Sequence, residues 1–259
     1  MKEILTFLAI IIVLWVMWIS SGGPESEGTK KGPFLTPPIT TQSENGDVFI
    51  TNIIAAKEPN PNREYIEIVA SRTNTSDINI SGWKLRNSLG KEIEVARADK
   101  LAYVGKLNNE EDLLLSPGER VIITTGSSPV GVSFQVNKCS GYLEQFQDFN
   151  PALRQNCPRP EEAAKNQLTD QSCISHISTF PKCEIYIKQI QIGLSNECLD
   201  YINDNINHNS CIDEHKNDSD FYSNEWRIFL GYNTEFWDNT SDLIRLYNTS
   251  GKLIDSVAY

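Results

Sequence analysis

Residues 64–90 read EYIEIVASRTNTSDINISGWKLRNSLG, and the fold turns on them. Tyr65, Ile66, Ile68 and Val69 are aromatic or β-branched, the types that suit a pleated, half-buried surface. Arg72 to Asp77 are polar turn-formers, with Asn74 and Asp77 able to make local side-chain turns. Ile78, Ile80, Trp83 and Leu85 follow, and they cannot all share one face of a flat strand. A glycine inside a strand pattern marks a bulge that shifts register. Gly82 is therefore expected to bring Ile80, Trp83 and Leu85 into the core together. Asn87-Ser88-Leu89-Gly90 reads as a hairpin turn, with Ile93 and Val95 on the return strand.

Outward from this stretch the strand pattern continues. Val48, Phe49, Ile50, Ile53 and Ile54 form an opening strand. Residues 96–115 fit either short strands or one helical turn with loops. Ser116-Pro117-Gly118 is a turn, and Val121-Ile122-Ile123-Thr124-Thr125 a strand. Near the C-terminus, Asn224 to Leu230, Asp242 to Tyr247 and Leu253 to Tyr259 read as strands, the last two joined at Asn248-Thr249-Ser250-Gly251. An isolated hairpin is marginal in water, so these closing strands need the first half as partners. What lies between is an excursion from one sandwich.

Four groups of residues together resemble the lamin tail domain family. They are Glu64-Tyr65-Ile66-Glu67-Ile68; Ile80-Ser81-Gly82-Trp83-Lys84-Leu85; Ser116-Pro117-Gly118-Glu119 before Arg120-Val121-Ile122-Ile123; and Gly251-Lys252-Leu253-Ile254-Asp255-Ser256-Val257. The matching parts are residues 46–136 and 225–259. The resemblance implies a mainly β chain, an immunoglobulin-like β-sandwich, and a binding role without a reaction. The cysteine-bearing segment between the two parts departs from the family's plain domain.

Ile4 to Ile19, ILTFLAIIIVLWVMWI, is apolar and uncharged. Its length lies between a signal-peptide core and a full bilayer span, and Trp15 and Trp18 suit the membrane interface. Residues 1–22 are expected to be an uncleaved signal anchor, one transmembrane helix; a cleaved leader is the alternative. Residues 23–46, rich in Gly, Ser, Pro and Thr, read as a flexible tether. Residues 47–259 are the globular domain, with an α-helical insertion at about 138–223. A formal net charge of −11 argues against nucleic acid as a partner, although a local basic patch is not legible in a sequence.

All the cysteines fall in the insertion: Cys139, Cys157, Cys173, Cys183, Cys198 and Cys211. An even count in an exported chain reads as disulfides. Sequential pairing, Cys139–Cys157, Cys173–Cys183 and Cys198–Cys211, would staple each short helix to the loop after it. Tyr142, Leu143 and Phe146 share a helical face. Thr169 or Asp170 can cap one helix that stops before Pro181. Ser195 can cap another, running to about Ile206, with Leu199 and Ile202 inward. Cys173-Ile174-x-x-Ile177 recurs 25 residues on as Cys198-Leu199-x-x-Ile202.

Other chemistry competes with disulfides in this segment and elsewhere. His208, Cys211, His215 and Cys198 have zinc-like spacing, but an oxidising compartment favours disulfides. The oxygen-rich residues Asn203 to Asn207, Asp213, Glu214, Asp218 and Asp220 lack the glycine and order of a calcium loop. Gly126-Ser127-Ser128 is neither a phosphate cradle nor a nucleophile turn. Glu64 and Glu67 point to opposite faces of a strand and cannot act on one bond. No catalytic, metal-binding or cofactor-binding residue is assigned. The expectation is a non-catalytic, membrane-anchored, extracytoplasmic interaction module of the cell envelope, contacting the membrane through its leader and binding a protein or surface polymer. Trp226, Phe229, Tyr232 and Trp237 are candidates for the junction between sandwich and insertion, with plain core packing the simpler alternative. The alternative is an accessory domain for extracellular nucleic-acid capture or nuclease-type chemistry.

Overall fold

The computed structural model describes residues 47–55, 59–107, 109–187 and 193–259. The expected anchor (1–22) and tether (23–46) lie outside the described residues. Among the described residues no helix is long and apolar enough to cross a membrane.

The described residues form thirteen strands: β1 (Val48–Ile54), β2 (Tyr65–Ala70), β3 (Ile78–Asn79), β4 (Lys84–Arg86), β5 (Glu92–Glu94), β6 (Ala98–Asp99), β7 (Glu110–Glu111), β8 (Leu114–Leu115), β9 (Arg120–Thr124), β10 (Phe134–Asn137), β11 (Tyr222–Phe229), β12 (Leu243–Tyr247) and β13 (Leu253–Ala258). The larger sheet runs β1-β2-β9-β11-β10-β6-β7 and the smaller β13-β12-β4-β5, with β3 and β8 as a short separate pair. Most pairings are antiparallel, but β9 runs parallel to β11, and β6 to β10.

The two main sheets enclose one core, a sandwich-like arrangement. Ile66, Ile68, Val121, Ile123, Trp226 and Ile228 from the larger sheet pack with Leu85, Ile93, Ile244, Leu246 and Val257 from the smaller. Alternation explains the sorting: along β11, Trp226 and Ile228 face this core while Glu225 and Arg227 face away. The sheets are also stitched by a polar contact. A register shift at Thr51 interrupts the β1–β2 ladder, and the Ile50 N–H donates instead to buried Asp255 of β13 at 2.8 Å.

Ile80, Trp83 and Leu85 do reach this core together, at 0%, 8% and 1% exposure. The device is a turn, not the expected bulge. Trp83 N–H donates to the Ile80 carbonyl at 3.1 Å, and Gly82 takes φ +77°, the left-handed geometry that a type II turn places on glycine. The chain thereby leaves the β3–β8 pair and enters the smaller sheet at β4. The hairpin at residues 87–90 forms as read, with Gly90 N–H donating to Asn87 O. Asn87 itself is buried and donates to the Phe236 carbonyl at 2.8 Å, pinning the hairpin to the closing connection.

The cysteine segment is a loop of one hairpin. β10 and β11 are antiparallel neighbours, with Asn137 opposite Tyr222, and Lys138 N–H donates to Phe221 O at their mouth. Between them, the described residues hold a 3₁₀ helix (Ser140–Gln145) and four α-helices, joined by loops: α1 (Pro160–Gln167), α2 (Gln171–Ile177), α3 (Asn196–Asn205) and α4 (His208–His215). Asp170, Ser195 and Asn207 cap α2, α3 and α4 by accepting from backbone N–H groups. Within the expected face of Tyr142, Leu143 and Phe146, only the first two are buried; Phe146 lies just past the helix and is exposed. In α3, Cys198, Tyr201 and Ile202 face inward and Leu199 is half-buried.

The cysteines all form disulfides, but not in sequential pairs. The bridges are Cys139–Cys211, Cys157–Cys183 and Cys173–Cys198. Loop-closure entropy rises slowly with length, so proximity in the packed fold outweighs nearness in sequence. Cys139 and Cys211 lie at the two ends of the excursion, which β10 and β11 hold together. Cys173 and Cys198 occupy the same position, three residues after the capping residue, in α2 and α3. The 25-residue recurrence therefore marks two helix starts joined to one another. Their caps also meet, with Ser195 Oγ donating to Asp170 at 3.2 Å.

Candidate functional site: a cationic groove between sheet and cysteine segment

The larger sheet's outer face carries both apolar and charged residues. Phe134, Val136 and Phe229 form an apolar patch there, covered by Leu143, Phe149 and Leu153 of the excursion. Phe149 packs edge-on to both Phe134 and Phe229. Beside the patch runs a row of charges. Arg120 lies between Glu67 and Glu225, at 3.5 Å from the first and with its Nε donating to the second at 2.9 Å. Glu225 also accepts from Arg227 Nε at 2.6 Å. Burial works against the Glu225 charge, yet Arg227 and Arg120 outweigh it and hold the carboxyl below its usual range. Arg227, itself buried, then donates to the carbonyl of Pro151 at 2.6 Å and so ties the excursion to the sheet.

Where this charged row meets the excursion, a groove of about 310 Å³ opens. Four cationic side chains line it, Arg72, Arg120, Lys138 and Arg154, against the carboxylates of Asp220 and Glu225. The cations differ in their commitments. Arg120 is held by Glu225 and Glu67, and Lys138 donates to Asp218 at 2.9 Å and Asp220 at 2.6 Å. Arg72 and Arg154 are exposed and have no ion-pair partner among the described residues. Asn156 and Asn224, also exposed, add amides to the same wall.

Two glycines set this geometry. Gly118 lies against the aliphatic stem of Arg72, 3.1 Å from where a Cβ would stand. A Cβ on Gly141 would collide with Cys183 Sγ and come within 2.8 Å of the Arg154 carbonyl. Glycine there lets the 3₁₀ helix pack directly on the Cys157–Cys183 bridge and the backbone that carries Arg154.

The sequence-level candidates are scattered by the fold. Cys198 and Cys211 are consumed by separate disulfides, so the zinc-spaced set does not converge. His208 is buried, and His215 sits 2.9 Å from Asp218. Of the oxygen-rich residues, Asp213 pairs with Lys216 while Asp218 and Asp220 share Lys138. Among the junction aromatics, Trp226 and Trp237 belong to the sandwich core, Phe229 packs against the excursion, and Tyr232 is exposed. Glu64 is buried and accepts from the backbone of Phe236 and Trp237 at 2.8 and 3.1 Å, which fixes the closing connection. Sequence reading did not single out Arg72 or Arg154, which come together only through the β10–β11 hairpin.

No protein-family model matches this chain, and no curated protein sequence matches it.

Proposed function

We propose that this protein is a non-catalytic interaction module of the cell envelope, anchored in the membrane by its N-terminal segment and facing outward. Its β-sandwich is read as immunoglobulin-like and lamin-tail-like, with the groove as its docking site. The carrying observation is the set of three disulfides in the segment that forms one wall of that groove. Such bridges persist in oxidising compartments, and the leader supplies a route there. The groove's titratable side chains are three arginines, a lysine, Tyr222 and two carboxylates already bound to cations, a set suited to holding a ligand and lacking a nucleophile–base pair. The cationic wall also favours a second reading, capture of nucleic acid, but Asp220, Glu225 and the net charge of −11 oppose a dense polyanion.

Whole-cell labelling with a membrane-impermeant maleimide tests the placement. Full-length protein should label only after reduction by an impermeant reductant, without lysis. Labelling of unreduced thiols, or labelling that requires lysis, would overturn the reading.

A further inference from the structure

The groove's chemistry narrows what can occupy it. Arg72 and Arg154 offer two unpaired guanidiniums, and a guanidinium fork fits a carboxylate through two parallel hydrogen bonds. Asn156 and Asn224 offer exposed amides that both donate and accept, the complement of a hydroxyl group. Of the apolar and aromatic side chains in the wall, Val136 and Phe221 are buried and Tyr222 is half-buried, packed edge-on against Phe221 with Lys100 over its ring, so none opens a deep pocket for an apolar anchor. Peptide docking depends on such anchors, so an acidic peptide fits poorly. Asp220 and Glu225 leave a surplus of two positive charges, four less two, too few for a chain with a phosphate on every unit. A sparse negative charge set among hydroxyl groups matches all of these features.

We propose that the groove binds a carboxylated glycan, with Arg72 and Arg154 holding the carboxylate and Asn156 and Asn224 reading the ring hydroxyls. This rests on the groove being the module's docking site. The carboxylate replaces the counter-ion that neither arginine finds among the described residues, and the amides give a directional preference that charge alone does not supply. Glu225 stays bound to Arg120 and Arg227, so the ligand need not displace the row of ion pairs beneath it.

The test titrates the full-length chain with an oligogalacturonate, using a neutral maltodextrin, poly-glutamate and a single-stranded oligonucleotide as comparison probes. The oligogalacturonate should bind, the maltodextrin should not, and poly-glutamate and the oligonucleotide should bind more weakly. The R72Q/R154Q double variant should lose at least about tenfold in affinity, as expected for losing charged hydrogen bonds. The N156A/N224A double variant should weaken oligogalacturonate binding while leaving poly-glutamate binding unchanged. These four side chains are exposed, so the variants should melt with the parent, and a calorimetric scan checks this. Absence of oligogalacturonate binding, its persistence in R72Q/R154Q, or tighter binding of poly-glutamate or the oligonucleotide overturns the inference. If it fails while labelling still places oxidised cysteines outside the cell, the glycan assignment falls and the interaction module stands.

Discussion

The guanidinium of Arg227, on the outer face of a central strand, donates to the carbonyl of Pro151 in the cysteine segment at 2.6 Å. A second nitrogen reaches the Ala152 carbonyl at 3.4 Å, and Nε is bound to Glu225. One buried cation thus joins the sandwich to its long excursion. Breaking a buried pair by removing one partner costs about 3–5 kcal/mol. Glu225 keeps Arg120, so Arg227→Met should cost near the lower bound, about 3 kcal/mol. For a domain of this size that corresponds to a melting shift of roughly 6–12 °C in a calorimetric scan. A shift below about 2 °C would mean the clasp contributes little.

The Cys173–Cys198 bridge joins two helix starts within a small cluster containing Ala164, Ile177, Phe180, Tyr201 and Ile202. That cluster is separate from the sandwich core. Helices this short are marginal without tertiary support. Removing both thiols in C173S/C198S should cost about 2–5 kcal/mol locally. Hydrogen exchange should accelerate across α1, α2 and α3 while β2, β9 and β11 keep their protection. Uniform acceleration through the sandwich would show that excursion and sandwich unfold as one unit.

The legibility of the chain divides along the same line. Strand content and the Ile80–Trp83–Leu85 trio are visible because alternation and turn residues are local signals. The caps at Asp170 and Ser195 are visible for the same reason. α1 has a legible start signal in Pro160-Glu161-Glu162, a proline and two acidic residues in its first turn. Disulfide partners were not readable, because they follow from which helix starts pack together. Nor was the groove: Arg72, Lys138, Arg154 and Asn224 lie far apart in sequence, and each alone is an ordinary polar residue. Gly82 shows an intermediate case, where the residues delivered to the core were evident but the turn that delivers them was not.

Asp99 of β6 is 1% exposed, and neither carboxylate oxygen has a hydrogen-bond partner among the described residues. Across the β6–β7 pair it sits opposite Glu110, a like-charge pairing that disfavours the strand contact. Burial pushes its carboxyl up, and Glu110 and Glu111 push it further. A raised folded-state value means that stability is fully present below the ordinary carboxylate range and is lost as pH rises through the folded value. Asp99→Asn removes the buried charge and its repulsion by Glu110 and Glu111 while leaving a polar amide in place, and should therefore stabilise at pH 7 by roughly 1–2 kcal/mol. Near pH 4 the gain should shrink toward zero. Thermal scans of both proteins at the two pH values check this, and an equal gain at both would detach the effect from ionisation.

His208 opens α4 almost wholly buried, with Nδ1 3.3 Å from the Asn209 side chain. Burial lowers its value to about 4, because an imidazolium there is stripped of water, while the Asn209 contact opposes the shift only weakly. The sign is opposite to that of Asp99. Stability from neutral His208 is present above its unfolded value near 6.5 and is lost as pH falls toward about 4. That span corresponds to roughly 3 kcal/mol. Asp99, Glu64 and Glu119, all raised chiefly by burial, gain stability over overlapping acid ranges and partly mask it in the parent protein. The difference between His208→Gln and the parent isolates the histidine. The variant should be less stable at pH 7, because the glutamine fits the imidazole's site imperfectly, and the gap should narrow steadily from pH 6.5 to 4.5. Since Cys211 of the same helix is bridged to Cys139, acid loosening should stop at α4 and leave the β10–β11 hairpin intact. Hydrogen exchange at pH 5 would show it, and loss of protection in β11 would refute the containment.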